Sequence, residues 1–391
     1  MQVLHTLFIL FISLFSALVQ GNTKPLIIGL DADMSAVAIE GGLAIKRGAQ
    51  LAINEINRGG GVLGRPLLLD VRDHRGNPAR GLANIRYFSQ KQDVVAVLGG
   101  VHTPVALHEL DSIHANKMIY LGPWAAGTPI VDNGFKPNYV FRLSVRDEHA
   151  GDVLMRYAQS RTINTVGLLL ERTGWGRSNE RSMERVAADL NITIAGKEWF
   201  NWREKTMSAS IERLLALGAE AILLVANAPE GAVIVNNMAA LPEQKRIPIF
   251  SHWGIASGSF VNQVGLENLQ KVDLSVLQTY SFLAPNNPKK SQSLLAHYQS
   301  EYDKTITAKT IPAAAGVVHA YDLVNMLAKA ITKAGSSNRQ KIRQELENLQ
   351  RYEGVFKVFN NPFSDQNHDA LTLDDYIMAS YSENGFLVPV N

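Results

Sequence analysis

Between Ala44 and Asp73 the spacing of apolar residues changes period. Ala49, Ala52, Ile53 and Ile56 recur at helical spacing and give a helix one apolar face. Gly59-Gly60-Gly61 ends it, because glycine accepts the left-handed backbone used at helix C-termini. From Pro66 the period becomes two: Leu67, Leu69 and Val71 alternate with Leu68, Asp70 and Arg72, as in a strand. A short apolar run, Leu26 to Leu30, lies upstream. Strand, helix, strand is the βαβ unit of a parallel sheet.

The same alternation continues along the chain. Strands are expected at Val94–Leu98, Met118–Leu121 and Val140–Leu143, the last carrying the chain out of a first lobe. A second series follows at Val166–Leu170, Thr193–Trp199, Ala221–Val225 and Ile247–Phe250, with a return strand at Ser275–Phe282. Thr103-Pro104 and Thr128-Pro129 mark helix starts, with threonine as N-cap and proline in the first turn. Helices are expected over Ser178–Leu190 and Ser208–Leu217, and Pro229 opens another. The last third is mainly helical: Lys290–Tyr302, Ala313–Lys333 and Arg339–Leu349. Val355–Phe359 and Tyr376–Tyr381 have strand character. The two series resemble each other in order, so the expected fold is α/β with two doubly wound parallel-sheet lobes.

Gly59, Gly61 and Gly64 satisfy G-x-G-x-x-G. That pattern binds a dinucleotide when it follows a strand and opens a helix, so that a helix N-terminus meets the pyrophosphate. Here it follows a helix and opens a strand, and it reads as a turn.

With 391 residues, 46% hydrophobic and 19% charged, the chain is long enough for two globular domains. A formal net charge of +2, with no basic cluster interleaved with aromatics, gives no reason to expect a nucleic-acid partner. Residues 1–21 read as a signal peptide. The apolar run Leu7–Val19 is shorter than the ~20 residues of a membrane span and is followed by small residues, with Val19 and Gly21 at −3 and −1 of the cleavage site. The opening MQVLHT lacks Lys and Arg, which leaves an uncleaved anchor as the alternative. The absence of cysteine excludes disulfides and a lipid anchor on cysteine. A periplasmic location is expected.

The run N-E-I-N-x-G-G-G-V-L-G-R-P at Asn54–Pro66, followed by a strand and D-H-x-G-N-P at Asp73–Pro78, resembles the type I periplasmic binding proteins. These are the Leu/Ile/Val-binding-protein-like receptors of ABC importers. Val97-Leu98-Gly99-Gly100, Tyr139-Val140-Phe141-Arg142 and Gly174-Trp175-Gly176 follow in the matching order, and the likeness runs from Pro25 to about Leu349. It implies two lobes joined by three crossover segments, lobe 1 comprising 22–143 with 283–352 and lobe 2 comprising 144–282 with 353–391. It also implies a monomer that closes on a small ligand, an amino acid or related carboxylate, and then docks on a membrane permease. By the same resemblance the strand-like tail packs on the second lobe.

Ligands of open α/β sheets sit beyond the carboxyl ends of the strands, where helix N-termini offer free N–H groups. The loops following strands therefore supply the candidates. In lobe 1 these are Ser35, His102, Thr103 and the run Trp124-Ala125-Ala126. In lobe 2 they are Trp175, Asn227, Glu230, His252, Trp253 and Tyr280. The family's alanine-alanine-threonine pattern appears as Trp124-Ala125-Ala126, so a hydroxyl is missing and an indole is added. Amino-acid binders place an acid near the position of Trp253 for the α-amino group. None stands there, and Glu230 or Asp33 are the substitutes. Three of the five tryptophans fall in these loops and suggest an aromatic-walled pocket. Trp199 and Trp202 carry no assignment.

Catalytic chemistry has little support. H-E-x-x-H, G-x-S-x-G and the phosphate-binding G-x-x-x-x-G-K are all missing. Pairs such as Asp31/Asp33 and Asp374/Asp375 read as solvated loop residues. No cofactor or metal is expected, and the chain does not read as an enzyme; a secreted enzyme on a similar scaffold lacks a nucleophile. A sensing subunit for a membrane signalling protein is the alternative to an importer receptor.

Overall fold

The computed structural model describes residues 24–390. The expected signal peptide, residues 1–21, lies outside the described residues. No helix among those described is long and apolar enough to cross a membrane.

The first sheet is built from β1 (Leu26–Ala32), β2 (Leu67–Asp73), β3 (Val94–Leu98), β4 (Ile119–Gly122) and β5 (Val140–Arg142). They stand in the order β2-β1-β3-β4-β5, all parallel. β3 is buried along its whole length, which explains its unbroken apolar sequence. The helix Ile39–Arg58 crosses from β1 to β2 and ends at the glycine run, where Gly60 and Gly61 take the positive φ. The bridge Val62–Arg65 then turns the chain into β2, as a turn reading of G-x-G-x-x-G requires. The later helix Ala314–Ala334 packs along Ile39–Arg58. Gly48 allows this approach: a Cβ there would lie 2.0 Å from the Val317 carbonyl oxygen.

The second sheet starts with β6 (Thr165–Glu171), β7 (Thr193–Phe200), β8 (Ala221–Val225), β9 (Ile249–Ser251) and β10 (Leu274–Gln278). These five are parallel. The expected strand Ser275–Phe282 stops at Gln278, after which the chain leaves the lobe. Next come β11 (Arg351–Glu353) and β12 (Val358–Asn360), an antiparallel pair of their own. Finally β13 (Ile377–Tyr381) and β14 (Leu387–Pro389) extend the second sheet antiparallel, in the order β14-β13-β10-β9-β8-β6-β7.

One expectation is corrected here. The strand-like stretch Val355–Phe359 does not join the second lobe. The backbone N–H groups of Val355 and Phe356 donate to Asp322 on helix Ala314–Ala334, each at 2.9 Å, and Tyr352 donates its hydroxyl at 2.8 Å. A buried carboxylate that gathers three donors holds the turn on the first lobe. Burial still pushes Asp322 up to about 6, against the lowering effect of those donors.

Among the described residues the chain passes between the lobes three times, at 143–146, 279–287 and 361–376. Arg142, at the end of β5, ties the first and third passages together. Its Nε and Nη2 donate to the two carboxylate oxygens of Asp369 at 2.5 and 2.9 Å. Its Nη1 donates to the carbonyls of Ala126 and Gly127, both at 2.9 Å. The backbone completes the tie, with Arg142 N–H to His368 at 2.8 Å and Ala370 N–H to Arg142 at 2.9 Å. Arg146 adds a 3.0 Å bond to Asp369, and its backbone N–H donates to the Tyr376 hydroxyl at 2.7 Å. In the second passage, His319 donates Nδ1–H to Pro123 and accepts from the Thr279 hydroxyl, at 3.0 and 3.1 Å.

Arg142 is 1% exposed and Asp369 6%, so removing one partner strands a buried charge. Asp369→Ala is expected to cost ~3–5 kcal/mol in denaturant unfolding; a loss below ~1 kcal/mol would show that water reaches the guanidinium. Burial pushes the Asp369 carboxyl up, but Arg142 and Arg146 more than offset this and hold it below its usual range. Its contribution is therefore present above the unfolded pKa of ~3.9 and is lost as pH falls through the lower folded value.

Candidate functional site

Beyond the carboxyl ends of both sheets the loops face each other across the gap between the lobes. His102, at the N-cap of helix Thr103–Ala115, is buried with its Nε2 2.9 Å from Asp33 Oδ2. Asp33 also accepts the N–H groups of Ala36 at 2.7 Å and Ala38 at 3.0 Å. Burial raises the Asp33 pKa, but the His102 bond and these N–H donors outweigh it and lower it to about 2. Thr103, expected as the N-cap, lies one residue inside the helix, and its hydroxyl accepts the Gly127 N–H at 3.1 Å. The helix start is thereby bonded to the Trp124-Ala125-Ala126 loop. Nearby, burial keeps His74 neutral, lowering its pKa to about 3.

From the second lobe, Trp175 opens helix Gly174–Leu190, capped by the Thr173 hydroxyl at 3.2 Å. Its indole N–H donates to Asp147 at 3.1 Å, and His252 bonds the same oxygen at 3.1 Å. The Trp253 N–H donates to His252 Nδ1 at 2.9 Å, so the His252 Nε2 carries the proton given to Asp147. Asn227 donates to Glu171 Oε2 at 2.8 Å, and the Thr173 hydroxyl donates to Glu171 Oε1 at 2.8 Å. Burial raises the Glu171 pKa, and the donors Thr173 and Trp202 offset this only in part.

The lobes meet at two tryptophans. Trp124 of lobe 1 and Trp253 of lobe 2 stack with ring centroids 4.7 Å apart and planes 27° from parallel. Trp202 crosses the gap beside them, its ring 5.3 Å from that of His102. Its buried indole N–H lies beside Glu171 and lowers that pKa. The Thr128 N–H donates to Ser178 Oγ at 3.1 Å, another bond between the lobes. What remains between the walls is a cavity of about 10 Å³, room for a single water.

Seven residues named from the sequence line this cavity: His102, Thr103, Trp124, Ala126, Trp175, Asn227 and Trp253. Five do not. Ser35 is exposed, and its hydroxyl donates to Asp73 at 2.5 Å. Ala125 lies behind the wall with its N–H on the Gly100 carbonyl at 3.3 Å. His252 is behind Trp175, held by Asp147. Glu230 accepts the Arg203 N–H at 2.7 Å, away from the cavity, and its other oxygen is buried without a partner. Tyr280 donates to Ser291 at 2.7 Å and lines a separate groove of about 350 Å³ with Phe282 and Ile311. The Ser35 hydroxyl is spent on Asp73 and one Glu230 oxygen on the Arg203 backbone, which loop position alone does not reveal.

Glu171 and Trp202 are the residues that sequence reasoning passes over. Glu171 is the last residue of β6. The apolar run Val166–Leu170 stops one residue short of this acid, so the apolar pattern does not mark it. Trp202 follows β7, and the rule that loops after strands carry the site applies to it as to the other three tryptophans.

Two lobes with mixed or parallel sheets, three passages and an aromatic gap between them define a hinged two-lobe binding protein. A family model described as periplasmic binding protein matches residues 25–383. The chain belongs to that family, in its type I, Leu/Ile/Val-binding-protein-like class. It is 24% identical over 318 residues to the Leu/Ile/Val-binding protein BraC3 of Rhizobium johnstonii, covering 79% of this chain and 80% of that one. It is also 24% identical over 312 residues to the Leu/Ile/Val-binding protein homolog 3 of Brucella melitensis, with 80% of each chain covered. Its fold is similar to a periplasmic binding protein type 1 of Bordetella pertussis, with TM-score 0.83 and 20% identity over 94% of this chain and all of that one. A similar match is the branched-chain amino acid transporter substrate-binding protein LivJ of Streptococcus pneumoniae, solved with isoleucine, with TM-score 0.78 and 19% identity over 94% and 100% of the two chains.

The Trp124–Trp253 stack should behave as a bond between lobes. In a double-mutant cycle of Trp124→Leu and Trp253→Leu, the pair is expected to show a coupling of ~0.5–1.5 kcal/mol in unfolding free energy. Additive losses would mean the indoles pack independently.

Proposed function

We propose that the chain is a periplasmic solute receptor of an ABC importer. It takes an amino acid or related small carboxylate into the inter-lobe cleft, closes on it by hinge motion, acts as a monomer, presents the closed form to a membrane permease and performs no chemistry on the ligand. The observation that carries this reading is the cleft itself: buried aromatic walls from two lobes meet, and three chain passages connect them. The Rhizobium relative's name and the isoleucine bound to the Streptococcus protein support the amino-acid reading.

A cavity of about 10 Å³ is far below the ~300 Å³ or more of a small-molecule site. Loading therefore requires the lobes to part and Trp124 to leave Trp253. A ligand that touches both lobes then favours the reclosed state over the open one. Opening subtracts from the intrinsic affinity, since the competent open state is only a fraction of the population.

The test is a thermal-shift and tryptophan-fluorescence panel on the protein from Asn22, covering amino acids, aromatic acids, aliphatic acids and amides. A ligand at 100 times its dissociation constant is expected to add ~2.7 kcal/mol to stability and to perturb the emission of the stacked indoles. A panel in which nothing moves either signal would remove the receptor reading.

A further inference from the structure

The cavity wall carries one carboxyl group and no lysine or arginine. Arg142, bonded to the loop that carries Trp124, has its Nε, Nη1 and Nη2 committed to Asp369 and to the carbonyls of Ala126 and Gly127. His102 is held by Asp33 at 2.9 Å. Glu171 is thus the formal charge that the wall can offer to a bound molecule, and it is 1% exposed. Each of its oxygens accepts one hydrogen bond, from Thr173 and from Asn227, while a carboxylate has about four lone-pair sites. It retains acceptor capacity. The buried indole N–H of Trp202 is a further donor beside it.

The rest of the wall is aromatic. Stacked indoles whose planes lie 27° from parallel can admit a flat or slender apolar body once the hinge opens by about the ~3.5–4.0 Å thickness of one carbon layer. Indole faces attract positive charge, most strongly when water is excluded. An acid beside such faces therefore selects a positively charged nitrogen and disfavours a ligand whose only charge is negative.

We propose that Glu171 is the counter-ion for a cationic nitrogen on the ligand, and that Trp124 and Trp253 part to take the ligand's apolar body between them. The ligand class is an organic ammonium compound, an amino acid with an apolar or aromatic side chain being the nearest example. This rests on the receptor reading and refines it. The acid that amino-acid recognition needs, which the sequence does not supply near Trp253, comes instead from the end of β6, and neither Glu230 nor Asp33 faces the cavity.

Calorimetric titration of matched pairs separates the possibilities: leucine, phenylalanine and tryptophan against 4-methylpentanoate, 3-phenylpropanoate and 3-indolepropanoate. The amines are expected to bind at least tenfold more tightly than their partners without the α-amino group. Glu171→Gln should remove that preference while leaving the unliganded melting temperature equal or higher, and Glu171→Asp, which keeps the charge, should retain part of it. The near-ultraviolet circular dichroism of the Trp124–Trp253 pair should change on binding. Equal affinity for the acids without the α-amino group, or amine binding that survives Glu171→Gln and fails with Glu230→Gln, would overturn the assignment while leaving the receptor reading intact. Binding of none of the six compounds, or of any solute in the wider panel, would remove both.

Discussion

The buried pairing of Arg142 with Asp369 is the constraint on which the arrangement of the two lobes depends. A guanidinium taken out of water is tolerated only when its donors are nearly all used. Here its Nε and Nη2 meet one carboxylate and its Nη1 meets two carbonyls. The carboxylate belongs to the third passage between the lobes. The carbonyls belong to Ala126 and Gly127, in the loop that carries Trp124. One side chain thus fixes both the hinge and the cleft wall. The Gly127 N–H is in turn held by Thr103, and Thr103 begins the helix that His102 caps. Hinge, wall and helix start form one bonded network.

Much of the fold was legible because it rests on local patterns. Apolar runs at Val94–Leu98, Ala221–Val225 and Val166–Leu170 became buried strands, since a parallel sheet covered on both faces needs no polar alternation. The glycine run was read correctly as a turn from its order relative to helix and strand. The tail was harder. Val355–Phe359 has the composition of a strand, but its place is set by Asp322, more than thirty residues earlier on a helix. Nothing within the stretch encodes that partner. Likewise Arg142 stood in the sequence as part of a family-like run, and its role became visible only with Asp369, 227 residues away.

The site was legible to the extent that backbone position decides it. Loops after strands did supply seven lining residues, because topology puts those loops at one end of each sheet. Side-chain commitment is not a topological property. Ser35 has a ligand-binding address, but its hydroxyl goes to Asp73; His252 has one, but Asp147 holds it behind Trp175. The converse error concerns Glu171. Its burial at a strand end makes it look like part of the core, although its hydrogen-bond partners, Thr173 and Asn227, stand at the start of cleft helices.

Those commitments explain why so polar a set of loops encloses so apolar a gap. Asp33 is absorbed by His102 and backbone N–H groups, Thr103 by Gly127, and Asp147 by Trp175 and His252. Each such bond lies within a lobe or along a passage and holds a wall in shape before any ligand arrives, which lowers the ordering cost of binding. Across the gap rings meet, Trp124 on Trp253 and Trp202 beside His102, with backbone bonds such as Thr128 N–H to Ser178 at one side. Stacked rings resist separation less sharply than directional hydrogen bonds between buried partners. The lobes are therefore stiff within themselves and joined across the cleft by contacts that a flat or apolar body can replace in kind. This is the division of strength that hinge closure on a ligand requires.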